Sequence, residues 1–287
     1  MSFVVFADGS ANLPGEMLEG IRLLPCDYTL DGKPQTYLGD VDHFDAHSFY
    51  EGLKSGWEIR TSLLNTELFL SRFTPILERG EDVIYVSMSS GISGTCNAAM
   101  IAANELMEQF PGRLVHVVDS HGCGFGSGLL AVKAAELARQ GMDAREAAEI
   151  VDAEVEHSCQ YFTVDDLNYL KKTGRVSGTT AAIGTILNIK PILFGDSTGH
   201  IVSCGKVRGR KRAVKALAQK YEEKRIDSPD RKVCISHGDC LEDAETLAGL
   251  VREISPDVDI TICQHEPFSG AHVGPGMLGL FFRGKER

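Results

Sequence analysis

A mixed α/β fold in two parts is predicted, a parallel α/β domain over residues 1–157 and an α+β domain over 158–287. Three observations predict it. Short apolar runs at 3–7, 83–86 and 114–118 are each followed by a polar or glycine-rich turn and then helix-forming sequence, the rhythm of a parallel sheet. From Tyr161 onward the pattern changes to strands in close succession with helices set singly between them. A chain of 287 residues, 43% of them apolar, suits two domains or one large one and has enough apolar side chains for real cores.

The elements follow in order. Residues 3–7 read as a compact apolar strand ending in the polar turn 8–14, before a helix near 16–20. Residues 23–30 and 35–38 flank Asp31 and Gly32, a strong hairpin signal. A helix is expected over 44–54, and Arg60, Thr61 and Ser62 precede another that starts near Asn65 or Thr66 and ends before Gly80.

The stretch 83–95 is the centre of the chain's logic. Its β-branched and aromatic opening reads as a buried strand, and the alanine-rich residues 97–109, free of Gly and Pro, read as helix. Across 89–95 the chain therefore turns from strand to helix. Small residues there let the backbone turn tightly and a ligand come close, while the first helical amides and the positive end of the dipole attract an anion. Hydroxyls on Ser89, Ser90, Ser93 and Thr95 add donors, which suits a phosphate or a carboxylate; the alternative is that Ser93 or Thr95 caps its own helix. The residue two after Ser93 is Thr95 and not glycine, so the hydrolase elbow is absent, and no Gly-Lys pair follows to make a nucleotide P-loop.

The strand 114–118 ends in Asp119 and Ser120, followed by a glycine-rich turn through Gly128 and helices over 129–139 and 144–159. Carboxyl ends at Asp8, Ser89 and Asp119 place the ligand site of the first domain at one rim of its sheet. In the second domain strands are expected over 161–164, 192–194, 201–207, 233–237, 260–264 and 277–282. Helices are expected over 167–173, 211–224 and 241–253, with an apolar small-residue segment at 180–189. His272 falls in the glycine-rich stretch before the last strand and is read in a turn, where a structural hydrogen bond is the ordinary role.

A formal charge of −11 disfavours nucleic acid and anionic membrane as main partners. Eight cysteines without a Cys-x-x-Cys pair point to a reducing cytoplasm, and no apolar run reaches the roughly 20 residues of a membrane span. His43 and His47 are helix-spaced beside Asp42 and Asp45, but with no third ligand apparent no metal is expected. Five cations crowd into 206–212, at the start of a helix where the dipole disfavours them, so a partner outside the fold is the expected reason for them.

With these pieces in view the chain resembles the DegV family of bacterial fatty-acid-binding proteins, nearly end to end. The resemblance rests on Asp8-Gly-Ser-Ala-Asn-Leu-Pro14, Thr61-Ser62, Ser89-Ser-Gly-Ile-Ser-Gly-Thr95, Val118-Asp-Ser120, Leu167-Asn-Tyr-Leu-Lys-Lys-Thr-Gly-Arg175 and Gly270-Ala-His-Val-Gly-Pro-Gly276. It implies one long-chain fatty acid in a tunnel between the two domains, its carboxylate held by Thr61 and Ser93, with Ser62, Gly94 and Thr95 adjacent and His272 facing the head group. It implies no cofactor beyond that ligand, and a carrier that is not catalytic alone. It further implies that a separate fatty acid kinase phosphorylates the bound carboxylate and that the acyl phosphate feeds phospholipid synthesis. Arg208, Arg210, Lys211 and Arg212, with Arg175 on the same face, are the expected kinase contacts. Gly9 and Asn12 depart from the Ser and Asp usual in the family. The competing readings are an acyl hydrolase with Ser93 as nucleophile and His272 as base, and a sensor of a small phosphorylated metabolite.

Overall fold

The computed structural model describes residues 2–176, 180, 188–226 and 232–287. Strands β1 (Phe3–Asp8), β2 (Ile21–Leu24), β6 (Asp82–Ser87) and β7 (Val115–Asp119) form a parallel sheet in the order β2-β1-β6-β7. Both faces are covered, as a parallel sheet requires, and alternate side chains serve different cores. Val5, Ala7, Ile84 and Val86 pack beneath helices α4 (Phe125–Arg139) and α5 (Ala144–Val155). Phe6, Val83 and Tyr85 pack with Phe69 and Phe73 of α2 (Thr66–Glu78) and with Ala99 and Leu106 of α3 (Thr95–Gln109).

Every described strand from β8 (Ser158–Thr163) onward belongs to a second sheet, ordered β10-β9-β8-β13-β11-β12, with β9 at Ile189–Gly195, β10 at Ile201–Arg208, β11 at Lys232–His237, β12 at Asp259–Gln264 and β13 at Leu278–Arg283. Its pairs are antiparallel except β11 with β12. One face packs on helices Arg210–Lys224 and Leu241–Ile254 through Val214, Leu217, Leu247 and Val251. The other face meets α4, where Phe125 and Phe281 stand edge to face. Helix α4 thus lies between the two sheets. Its glycines make that possible: a Cβ on Gly128 would stand 2.5 Å from the Ala11 carbonyl oxygen, and one on Gly126 would stand 2.5 Å from Gln160 Oε1.

Several boundaries differ from the sequence expectation for physical reasons. The run 23–30 is not one strand, because Pro25 has no amide for a ladder and separates β2 from β3 (Cys26–Leu30), which joins a different sheet. That third, antiparallel sheet has the order β4-β3-β5, with β4 at Lys33–Tyr37 and β5 at Ile59–Thr61, a strand not foreseen in the sequence. Asp31 and Gly32 both take positive φ and close the expected hairpin. The helix placed near 16–20 is a single 3-10 turn at Gly15–Met17, and the one over 44–54 is α1 (Ala46–Lys54), capped by Asp45. Helix α4 begins at Phe125, inside the glycine-rich turn, and α5 ends at Val155 because Ser158 already opens β8. The helix over 167–173 is α6 (Asn168–Lys172), and the apolar segment at 180–189 falls largely outside the described residues. No helix among the described residues is long and apolar enough to cross a membrane.

Candidate functional site

A cavity of about 440 Å³ opens at the carboxyl edge of the parallel sheet, where the second sheet and the helix Pro267–Val273 close over it. Leu63, Met88, Ile92, Phe162, Leu170 and Ile201 line it with apolar surface. Volume and lining are those of a pocket for a largely apolar small molecule.

One wall is polar. Thr61, the last residue of β5, pairs with Tyr28 of β3, and its hydroxyl lies 2.8 Å from His272 Nε2. His272 rides on the short helix Pro267–Val273 and not in the expected turn. The helix forms there because Glu266 caps it, accepting from the amides of Phe268 and Ser269, and Pro267 supplies a preset first residue. Burial, and then the nearby positive charge of Arg175, push the His272 imidazole down to about 4, so it is neutral at neutral pH. Its Nδ1 is buried without a partner among the described residues.

Ser93 and Gly94 also line the cavity, just ahead of α3 and beside the segment that follows Thr61. Ser93 Oγ donates to Thr95 Oγ1 at 3.0 Å and accepts the Thr95 amide at 3.2 Å, while Thr95 Oγ1 accepts from Leu64 N at 3.2 Å. Gly94 is the residue that opens α3, and Ser93, just before it, satisfies the Thr95 amide while it faces the cavity. Thr61, Ser93, Gly94 and His272 all line this one cavity. Thr95 is fully buried behind Ser93, and Ser62 is exposed, its amide paired with the Asp27 carbonyl oxygen, so neither lines the cavity.

The cationic residues separate. Arg175, expected on the face of the 206–212 cluster, lines the cavity, with Nη1 donating to the Thr173 carbonyl. Arg210 is committed internally: Nε meets Asp243 at 2.7 Å and Nη1 meets the Gly276 carbonyl oxygen at 2.7 Å, with Asp165 at 3.6 Å. That corrects its reading as a free contact, and it shows why a cation tolerates this helix start. Arg208, Lys211 and Arg212 are exposed.

A second polar group was not foreseen in the sequence. His265 bridges Ser236 Oγ at 3.1 Å and Ser269 Oγ at 2.9 Å, and Ser269 also bonds Glu266. His265 and Ser269 line the cavity. Burial pushes His265 down to about 3 and Glu266 up to about 7. The legible signal was Glu266 followed by Pro267, an acidic cap before a helix-opening proline. Asn12, in the left-handed region, ties the first loop to this group: Oδ1 accepts the Glu266 amide at 2.8 Å and Nδ2 donates to the Gln264 carbonyl at 3.1 Å.

The hydrolase pairing is not assembled, because His272 Nε2 is engaged by Thr61 and Ser93 by Thr95. The quartet His43, His47, Asp42 and Asp45 is likewise divided: His43 meets Asp40 at 2.9 Å, Asp42 accepts the Gly15 amide at 2.7 Å and Asp45 accepts the Ser48 amide.

The family model described as "Uncharacterised protein, DegV family" matches residues 2–285. The chain belongs to the DegV family. A DegV domain-containing protein of Clostridium perfringens is 35% identical over 283 residues, which cover 98% of this chain and 97% of that protein. The structure of DegV from Bacillus subtilis, named a fatty acid binding protein, superposes with a TM-score of 0.83 at 29% identity, covering 99% of this chain and all of the other. A DegV family protein of Ruminococcus gnavus, solved with vaccenic acid, gives a TM-score of 0.86 at 25% identity over 98% of this chain and 100% of that one. The mixed α/β fold with a parallel sheet and separate further sheets is that of the DegV structures.

Proposed function

We propose that this DegV protein binds one long-chain fatty acid in the cavity and presents its carboxylate to a separate kinase. The observation that carries the reading is the union of an apolar cavity with a wall of neutral donors at Thr61, Ser93 and His272. Fatty acid binding in the Bacillus subtilis and Ruminococcus gnavus proteins supports it.

Head and tail divide the energetics. A buried chain of about 16 carbons contributes on the order of 12 kcal/mol gross at roughly 0.8 kcal/mol per methylene, before association entropy is subtracted. Hydroxyls and amides, helped by the start of α3, orient the carboxylate without a direct ion pair. In this reading the protein is a carrier and not catalytic alone; the kinase makes the acyl phosphate that feeds phospholipid synthesis. Arg208, Lys211 and Arg212 are the exposed cations left to meet it. The proposed division at 157/158 puts the head-group donors Thr61 and Ser93 in the first part and His272 in the second.

Mass spectrometry of the natively purified protein tests the binding. One co-purifying fatty acid per chain is expected; an empty cavity that also fails to take up added palmitate overturns it. Kinase-coupled turnover with the Arg208→Glu, Arg212→Glu double variant tests the presentation. Intact fatty acid binding with slower, less salt-sensitive turnover is expected, and unchanged turnover removes these cations from the partner's path.

A further inference from the structure

Outside the cavity, three metal-ligating side chains from distant parts of the chain converge. His47 and Glu51 stand one turn apart on the same face of α1, and Asp239 lies in the loop between β11 and the helix Leu241–Ile254. Their ligand atoms all lie within 4.8 Å of one another. His47 Nδ1 is 3.1 Å from Asp239 Oδ2. Tetrahedral coordination at the usual zinc distances of about 2.0–2.2 Å puts neighbouring ligand atoms roughly 3.4 Å apart, so small side-chain adjustments bring all three onto one ion.

The frame is rigid. Glu51 and His47 share a helix whose other face is buried through Phe49, Tyr50 and Leu53. The loop carrying Asp239 is pinned against that helix: a Cβ on the preceding Gly238 would meet the Tyr50 ring at 3.2 Å and the Gly274 carbonyl oxygen at 3.0 Å. Ligands held on packed elements lose little freedom when a metal arrives. One neutral imidazole and two carboxylates compensate the charge of a divalent ion and leave a fourth position to water. A nitrogen ligand favours zinc or a neighbouring transition metal over magnesium or calcium, which take oxygen.

We propose that His47, Glu51 and Asp239 form a binding site for one divalent transition metal of the zinc type, bracing α1 against the loop after β11. Lys54, 2.6 Å from Glu51, is displaced when the metal takes that carboxylate. The brace reaches the cavity through packing. Tyr50 Oη donates to the His265 carbonyl oxygen at 2.9 Å, and Phe49 and Tyr50 share a core cluster with Ala271, the neighbour of His272. The site stands whatever the cavity holds.

The test is calorimetric titration of metal-stripped protein with zinc chloride, with melting temperature recorded alongside, on the parent, His47→Ala and Asp239→Asn. All are made in a Cys204→Ser background to remove the exposed thiol. The parent is expected to take up one zinc per chain and melt several degrees higher with it, whereas each variant binds at least about tenfold more weakly. His47 is 74% exposed and Asp239 24%, so the metal-free variants are expected to melt like the parent. No saturable uptake by the parent, or uptake undiminished in His47→Ala, overturns the proposal.

Discussion

Thr61 Oγ1 and His272 Nε2 lie 2.8 Å apart although 211 residues separate them in sequence. One hydroxyl from a small antiparallel sheet and one imidazole from a seven-residue helix make the polar wall of the cavity. Replacing Thr61 by Val keeps the shape and strands Nε2 in a buried place beside an Nδ1 that already lacks a partner among the described residues. Thr61→Val with Ser93→Ala is expected to weaken fatty acid binding by roughly 3–6 kcal/mol, two charge-assisted hydrogen bonds at about 1.5–3 kcal/mol each. Fluorescence displacement of a labelled fatty acid measures it, and parental affinity removes both hydroxyls from the head-group site.

Buried titrating groups set an acid limb of stability. His272 and His265 have folded pKa values of about 4 and about 3, below the ordinary 6.5, so the unfolded chain binds the extra protons as pH falls below about 6.5. Glu266, raised to about 7 from 4.5, acts oppositely between about 4.5 and 7. Burial also lowers His237, which adds a third falling term, and raises Asp8, which adds a second opposing one; three exceed two, and stability is expected to fall from about pH 6.5 toward pH 4. Urea denaturation at successive pH values checks this; in His272→Asn the slope over pH 4–6.5 should lessen by about one proton.

Arg210 and Arg212 should part company. Arg210→Ala leaves Asp243 and the Gly276 carbonyl without their donor and is expected to cost about 1–3 kcal/mol in urea unfolding. Arg212→Ala, on the exposed face, is expected to stay within about 0.5 kcal/mol of the parent. Equal effects would contradict the internal role assigned to Arg210.

Asn12 offers a separable test of bonds and backbone. Asn12→Gly loses the side-chain bonds to Glu266, Gln264 and Cys263 but keeps the positive φ at no steric penalty. Asn12→Ala loses the same bonds and adds roughly 1 kcal/mol of left-handed strain. Chemical denaturation should therefore rank parent, Gly variant and Ala variant in falling stability, with the last two about 1 kcal/mol apart.

What could be read in the sequence was governed by local signals. The parallel sheet was legible because β1, β6 and β7 are short apolar runs that each end in a turn, and Ser93 was legible because strand-to-helix junctions have free amides whatever surrounds them. Thr61 and His272 came from the family resemblance, since nothing local shows a hydroxyl and an imidazole from opposite ends of the chain in contact. Pro25 was a stop signal passed over within an otherwise continuous apolar run. The strand β5 was missed because three residues, Ile59–Thr61, are strand only by virtue of pairing with β3. Arg175 and Arg210 were misplaced for a similar reason: charge runs in sequence do not say which guanidinium turns inward to carboxylates and carbonyls that fold up beside it.

The hairpin turn at Asp31 and Gly32 offers a place to listen to the cavity. It is exposed, a Cβ on Gly32 would meet no atom within 4 Å, and the strand leading into it pairs with the strand that ends in Thr61. A circularly permuted fluorescent protein spliced there would sit in open solvent, tethered about 10 Å along the strand from Thr61 at roughly 3.3 Å per residue. Tension in that short ribbon would then report whether the threonine is holding something, turning the protein into an optical gauge of its own filling.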